Sequence, residues 1–484
     1  MTLRKAAKVR IGEAARRIAE FARTASHVEY AFVLSVIAGS LALRVFRLGQ
    51  VPRIITGDEL DNLQTAYHII EGTGPGPFGF DWKPGPALSL YPLAWTVQVF
   101  GDNVWSFRLF PVLLSLGTLV GFYLLARDAL RPAAALGGMV LLSTNLWFLH
   151  FSRTAWDNLN AALFAVGACW ATSRAISGRG WHWWTASGCF SALGMYGYFT
   201  GRLIIVAVLV QVMLAVVLRK LPLASAMRGI ALTASVSGVL VLPFARNAIE
   251  HWDYFNRRTQ IVSVFNTREP YEGDTDGWVI AAKNVVRNYR GFVLQDGSEF
   301  RRGLWARYGP PGKAPLDLVT GHLFWVGLIL GVVRFRRSYS WWPYAIPVAV
   351  AEVFSRGSPD LARGVLFAPF YFLFVGLSID ELCARVGTWR RVALLPVAAG
   401  TLVVIISIGA WNVREYFRWQ SQTGTQMHRL PGIDVCEWDL WRTMAREAAR
   451  AGPGNVNPAE FERQRRELDC SAIVRALWTT STQP

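Results

Sequence analysis

Apolar runs separated by short basic links recur along almost the whole chain. They fall near residues 30–47, 107–126, 132–149, 156–173, 184–199, 203–218, 228–245, 319–333, 341–354, 364–379 and 392–411. Most approach the roughly 20 apolar residues that an α-helix needs to cross a bilayer, so the pattern predicts about eleven transmembrane helices. The expected fold class is an all-α polytopic membrane protein with amphipathic outer-loop helices. Residues 1–28 are basic and weakly amphipathic, with Leu3, Ala7, Ile11, Ala14, Ile18 and Phe21 at helical spacing. They read as a cytoplasmic or interfacial N-terminal helix, with an unstructured basic tail as the alternative. A removable signal peptide is excluded, because no apolar stretch with a small-residue cleavage site follows in the usual place.

The links set an orientation. With the N-terminus cytoplasmic, the links on that side carry Arg127 and Arg131, Arg174 and Arg179, Arg219, Lys220 and Arg228, Arg334, Arg336 and Arg337, and Arg385, Arg390 and Arg391. Every one is basic, as the positive-inside rule demands. The parity divides the chain into a transmembrane body, 29–411, with long outer loops at 48–106 and 246–318, and an extracytoplasmic C-terminal region, 412–484. Cys436 and Cys470 both fall in that outer region, where oxidising conditions favour a disulfide between them. Cys169 and Cys189 lie in spans and Cys383 on the cytoplasmic side, so these read as small apolar or inert residues.

Composition agrees. Of 484 residues, 52% are hydrophobic and 17% charged, against about 25% charged in soluble domains. The net charge of +17 raises a nucleic-acid reading. It is excluded because the basic residues are dispersed among links rather than gathered on one face. The clusters "WHWW" and "SWWPY" are the aromatic belt of a membrane interface. Enrichment in Arg, Ala, Gly and Trp suits a GC-rich bacterial genome, hence a bacterial plasma membrane.

Candidate chemistry begins at "ITGDELDN", residues 55–62. Thr56 and Glu59 fit a capping box, and acids in a first turn complement the helix dipole. The helix so begun, Asp58–Glu71, places Leu60, Leu63, Tyr67 and Ile70 on one face and Asp58, Asp61, Asn62 and Thr65 on the other. A second outer piece, Pro84–Phe100, is apolar. Cations then recur on the same outer side: Lys83, Arg153, Arg202, Arg257, Arg258 and Arg363. Each alone reads as an interfacial side chain that snorkels or pairs with an acid. Together they are unexpected on the face where basic residues should be sparse, and they suit an anionic substrate held at headgroup depth. His150 and His251 could each serve as a base or metal ligand, or simply lie at the interface.

These stretches resemble a known family. "LRVFRLGQVPRIITGDELDN", "FDWKPGPALSLYPLAWTVQVFGDNVWSFRLFPVLLSLGTLVGFYLLAR", "HFSRTAWDN", "YGYFTGRLI" and "ARGVLFAPFYFLF" are together similar to the GT-C glycosyltransferases, in the protein O-mannosyltransferase and aminoarabinose-transferase branch, over roughly residues 30–380. The resemblance implies an inverting transferase that uses a polyprenyl-phosphate-linked sugar and an extracytoplasmic acceptor (protein, lipid or glycan), with its active site outside. It implies that Asp58 is the general base and that Glu59 orients it or helps hold a cation. Lys83 and Arg363, the latter standing for the Arg of an Arg-Tyr motif, would contact the lipid phosphate, and Arg153, Arg202 and Arg258 join them as donor-binding candidates from their place on the outer face. Asp81, Trp82 and His150 would shape the substrate pocket. The chain departs from that branch at Trp82, where an acid precedes the Lys, and at Gly364, where a Tyr follows the Arg. No cofactor is required by this reading, and a divalent cation stays open. Two rivals remain: a transporter or flippase of lipid-linked sugars, which would want charges at mid-membrane depth, and a non-catalytic assembly protein.

Overall fold

A computed structural model describes residues 27–80, 82–266, 273–300, 307–387, 394–426, 432–452, 456–465 and 468. The first apolar run forms α1 (His27–Val45). The first outer loop then makes a short strand, β1 (Ile54–Thr56), followed by α2 (Gly57–Glu71) and α3 (Tyr91–Phe100). Next come α4 (Val104–Ala129), α5 (Pro132–Thr144), α6 (Leu146–Phe151), α7 (Asn158–Ile176), α8 (His182–Met195), α9 (Leu203–Val217) and α10 (Leu223–Glu250). The second outer loop carries α11 (Trp252–Val262) and α12 (Gly277–Asn288), and the body closes with α13 (Leu318–Val333), α14 (Trp342–Val353), α15 (Ala368–Gly387) and α16 (Leu394–Gln426).

Each expected apolar run lies on helix in whole or in part. Six helical stretches among the described residues are long and apolar enough to cross a membrane, namely His27–Val45, Val104–Ala129, Asn158–Ile176, Phe199–Val217, Leu223–Glu250 and Leu361–Arg385. Pro132–Thr144 and Leu318–Val333 are shorter apolar helices, the first stopping at Asn145, whose side chain caps α6. Rows of exposed apolar side chains recur at helical spacing, such as Val206, Val210, Met213 and Val217 on α9 and Val326, Ile329 and Val333 on α13. Such stripes face lipid rather than water.

Aromatic side chains fill the core, among them Phe122, Trp147, Phe148, Trp341, Tyr344, Phe370 and Phe374. Close helix contact depends on small residues. At Gly327 a Cβ would stand 1.8 Å from the Phe374 carbonyl oxygen, so α13 and α15 could not meet at this point with any larger residue. Ion pairs gather the links read as cytoplasmic: Arg127 with Glu29 at 2.6 Å, Arg174 with Asp128 at 2.6 Å and Arg337 with Asp380 at 2.8 Å.

The C-terminal segment does not stand apart. Its strand β2 (Gly432–Asp434) pairs antiparallel with β1, setting Ile55 opposite Ile433. Helix α17 (Trp438–Ala451) then lays Trp438, Trp441, Ala445 and Ala449 over Leu63, Ala66, Tyr67, Leu93, Val97 and Phe107 of α2, α3 and α4. Trp441 stacks on Tyr67 at 6.3 Å and Trp438 on Phe107 at 5.3 Å between ring centroids. Arg53 binds Asp434 at 2.6 Å, and Arg446 binds Asp102 at 2.9 Å. A last short helix, α18 (Pro458–Arg465), ends the described part. Cys436 is disulfide-bonded, and Cys470, its expected partner, lies outside the described residues, as do residues 1–26.

Candidate active site

The site is built around the start of α2. Thr56 caps the helix, and the Glu59 carboxylate accepts the Thr56 amide at 3.0 Å, completing the capping box. Glu59 does more than cap. It is fully buried, and its other oxygen accepts from Arg108 Nε at 3.1 Å and from the Ala155 amide at 2.9 Å. Arg108 in turn donates to the Pro52 carbonyl at 2.6 Å and the Ile54 carbonyl at 3.3 Å. Trp156 Nε1 donates to Thr56 Oγ1 at 3.0 Å, and Asn62 Nδ2 donates to the Ala155 carbonyl at 2.9 Å. The first turn of α2 is therefore locked onto the 155–158 turn that opens α7.

Asp58 faces the other way, into a cavity of about 410 Å³. Its wall includes the carboxylates of Asp58, Asp157 and Asp360 and the cations Lys83, Arg257, Arg258 and Arg307, among the rings of Trp82, Trp156, Tyr198, Tyr254 and Tyr308. Lys83 is buried and pairs with Asp157 at 2.7 Å. Asp360 caps a one-turn helix, Leu361–Gly364, by accepting the Ala362 and Arg363 amides. Arg307 Nη1 stands 3.4 Å from Asp58 Oδ2, with side chains 20% and 38% exposed. Among the described residues, Arg257 and Arg258 have no acid partner. Asp61, one turn beyond Asp58, is reached by solvent but ringed by protein. That crowding, and after it the Asp58 charge, raises its carboxyl from 3.8 to about 6, with Lys83 pulling the other way. Burial, with the Asp360 charge next, pushes the Tyr308 phenol well above its ordinary value.

The structure thus gathers Asp58, Trp82, Lys83 and Arg258 on the cavity wall and sets Glu59, Arg153, Arg202, Arg363 and His150 behind it. Trp82 Nε1 donates to Asn62 Oδ1 at 2.8 Å. Arg153 is fully buried and spends its guanidinium on four carbonyls, those of Leu43, Arg44, Phe46 and Val51, at 2.6 to 2.9 Å. It tethers the end of α1 to the first loop and lines no part of the cavity. Arg202 donates to the Pro84 carbonyl at 2.9 Å and stacks on Phe255 at 4.4 Å, so it holds the Lys83-Pro84 turn from outside. Its own turn packs tightly, since a Cβ on Gly201 would stand 2.1 Å from the Gly194 carbonyl oxygen. Arg363 lies between Asp360 at 3.5 Å and Glu352 at 4.0 Å, behind the wall that Ala362 forms. His150 is buried among Trp156, Tyr416 and Trp419 and donates from Nε2 to the Arg307 carbonyl at 2.7 Å. Asp81 lies outside the described residues.

Arg307 and Tyr308 were not singled out in the sequence, although "RYGPP" was a signal. Arg307 is followed directly by Tyr308, in the second outer loop, whereas Arg363 is followed by Gly364. Asp157 lay within a quoted stretch and Asp360 two residues before another, neither with a role assigned. Among the described residues no three His, Cys, Asp or Glu side chains converge as a metal site would require. The acids on the wall are engaged by Lys83, Arg307 and backbone amides. They do not fit a divalent cation, and no step below is routed through one.

Residues 85–245 match the family described as dolichyl-phosphate-mannose-protein mannosyltransferase. No curated protein matches the chain in sequence. Among solved structures, the chain is similar to the archaeal oligosaccharyltransferase AglB of Archaeoglobus fulgidus in complex with an inhibitory peptide and a dolichol-phosphate. That match has 15% identity and a TM-score of 0.54, and covers 86% of this chain and 57% of AglB, so the chain spans little more than half the length of that relative. It is also similar to ArnT from Cupriavidus metallidurans in the apo state, at 15% identity and a TM-score of 0.55, covering 81% of this chain and 76% of ArnT. The same ArnT bound to undecaprenyl phosphate matches at 15% identity and a TM-score of 0.51, covering 81% and 75%. The chain has the all-helical membrane fold of the GT-C glycosyltransferases, and residues 85–245 carry the signature of their protein mannosyltransferase branch.

Proposed function

We propose that the protein is an inverting glycosyltransferase that moves a single sugar from a polyprenyl-phosphate carrier to an acceptor outside the cytoplasm. The observation that carries this reading is the cavity itself. It presents one half-exposed carboxylate, Asp58, to four cations, Lys83, Arg257, Arg258 and Arg307. Its volume of about 410 Å³ falls within the range of small-ligand pockets and suits one sugar ring with its phosphate. ArnT, a neighbour in fold, is bound to undecaprenyl phosphate in one of its structures.

In this mechanism Asp58 accepts the proton of the acceptor's nucleophile, which attacks the anomeric carbon. The bond from that carbon to the phosphate oxygen breaks, and the electron pair leaves with the lipid phosphate. Arg257 and Arg258 hold the phosphate, Lys83 fixes its position against Asp157, and the aromatic wall excludes water. Lys83, Arg202 and Arg258 serve the donor, the second through the Lys83-Pro84 turn. Glu59 and Arg153 act through the scaffold. The N-terminus lies in the cytoplasm, and the cavity and C-terminal segment lie outside.

The test uses the full-length protein in lipid nanodiscs with a mixed pool of polyprenyl-phosphate sugars and cell-envelope extract as acceptor. The expected result is consumption of one lipid-linked sugar, release of polyprenyl phosphate and a product of inverted anomeric configuration. Passage of intact lipid-linked sugar across a vesicle bilayer, without consumption, would make the protein a transporter instead.

A further inference from the structure

We infer that Trp82 is a stacking platform for the sugar ring of the donor, fixed to the same helix that presents Asp58. This rests on the proposed transferase reading and gives that site a sugar-recognising face separate from its cations.

The indole has one polar atom, and the protein satisfies it. Trp82 Nε1 donates to Asn62 Oδ1 at 2.8 Å, and Asn62 Nδ2 donates to the Ala155 carbonyl at 2.9 Å. Together these bonds fix the Asn62 amide one way round, since a turned amide would set N–H against N–H. Asn62 is buried and stands one turn after Asp58 on α2, so the indole is held in register with that carboxylate. The chain around Trp82 is tied down as well. Phe80 bridges Pro86, the Ala87 amide donates to the Gly79 carbonyl at 2.9 Å, and Arg202 holds the Pro84 carbonyl.

What Trp82 leaves open is a flat apolar face. It is 42% exposed, whereas Trp156 and Tyr308, which line the same cavity, are buried. Lys83 Nζ lies over one face of the ring at 5.4 Å, which leaves the other for a ligand. A Trp of an interfacial belt keeps its polar end toward headgroups and water. Here the N–H turns inward instead, to a buried side chain.

A sugar ring matches this combination of plate and polar rim. Its C–H bonds, slightly positive, stack on the negative face of an indole, and its hydroxyls donate to carboxylates. The cavity sets the Trp82 plate together with Asp58, Asn158 and Asp360. A wholly apolar ligand would leave those polar groups unpaired, and a phosphate alone would leave the indole unused. The volume of about 410 Å³ suits one ring with its phosphate, so the stacked ring is the donor's rather than the acceptor's.

The test compares affinities in nanodiscs and needs no turnover. Undecaprenyl phosphate, bare or bearing glucose, galactose, mannose or arabinose, is titrated into wild type, Trp82→Ala, Trp82→Phe and Trp82→Leu, with matched thermal melts. Trp82→Ala should weaken at least one sugar-bearing lipid roughly three- to tenfold, the scale of one aromatic stack, and the bare lipid less than about twofold. Trp82→Phe keeps a flat ring and should recover most of the loss, whereas Trp82→Leu keeps only apolar bulk and should not. If the Ala variant fails to fold, the contrast between Phe and Leu decides. Equal losses for bare and sugar-bearing lipids would place Trp82 at the carrier instead and overturn the platform. Recovery by Leu as full as by Phe, or no loss with any of the sugars, overturns it as well. Failure of the transferase reading would register separately, as absence of polyprenyl phosphate release by the wild type.

Discussion

Asp58 and Glu59 are adjacent in the chain and occupy opposite environments. Glu59 is fully buried, its oxygens engaged by Arg108, the Ala155 amide and the Thr56 amide, whereas the Asp58 side chain is 38% exposed on the cavity wall. One carboxylate anchors the helix and the other is presented by it. Removing a single partner of a buried ion pair leaves an uncompensated charge and costs about 3–5 kcal/mol. Glu59→Ala should therefore lower the melting temperature sharply. Asp58→Asn should leave it nearly unchanged, within about 0.5 kcal/mol. Thermal unfolding of the two variants in the same nanodiscs checks this, and equal losses would contradict it.

Lys83 and Asp157 form the second buried pair, at 2.7 Å with side chains 8% and 4% exposed. Either single change, Lys83→Ala or Asp157→Ala, should destabilise by about 3–5 kcal/mol. The double variant should lose less than the sum, because neither charge is then stranded. The same double variant should bind undecaprenyl phosphate more weakly than wild type, as the phosphate loses its positioning cation. Melting curves and a binding titration read the two effects apart.

Much of this was legible in the sequence, and the remainder depends on which distant residues meet. Apolar runs located the helices, since a span must satisfy its backbone within itself. The capping box at Thr56 and Glu59 and the outward face carrying Asp58, Asp61 and Asn62 were also readable, because both follow from local spacing. Spacing could not reveal that Arg153 would be consumed by four carbonyls, or that His150 would hold the Arg307 backbone from 157 positions away. The strand pair β1–β2 was missed because three-residue strands carry no periodicity. The stripe of Trp438, Trp441, Ala445 and Ala449 was present in the sequence, but its partners on α2 to α4 were not apparent.

That stripe makes the C-terminal segment a brace for α2, the helix that presents Asp58. Trp441 is buried against Tyr67, and Trp441→Ala should cost about 3–5 kcal/mol. Arg53→Ala breaks a partly buried pair with Asp434 next to β1 and should cost about 1 kcal/mol or less. Both should reduce sugar transfer more than they reduce undecaprenyl phosphate binding, since α2 carries the proposed base while the cations of the cavity sit on other elements. Parallel transfer and binding assays decide the matter.

Asp61 gives a pH dependence of defined sign. Its carboxyl titrates at about 6 in the folded protein against 3.8 ordinarily. Between those values the folded state holds more protons than the unfolded chain, so stability falls as pH rises through that window. Asp61→Asn removes the penalty. Because the side chain is solvent-exposed, the gain at neutral pH should stay below about 1 kcal/mol. It should disappear below about pH 4, where both forms are protonated. Melting temperatures of the variant and wild type across that range check the prediction.

The most direct measurement compares wild type with Asp58→Asn, at matched thermal melts and in the same nanodiscs. The readout is release of polyprenyl phosphate from lipid-linked sugar in the presence of cell-envelope extract. With Asp58 as the base, the variant should release it at least about 10²-fold more slowly while still binding undecaprenyl phosphate. Equal rates would return Asp58 to the role of an acid in a helix's first turn and contradict the mechanism.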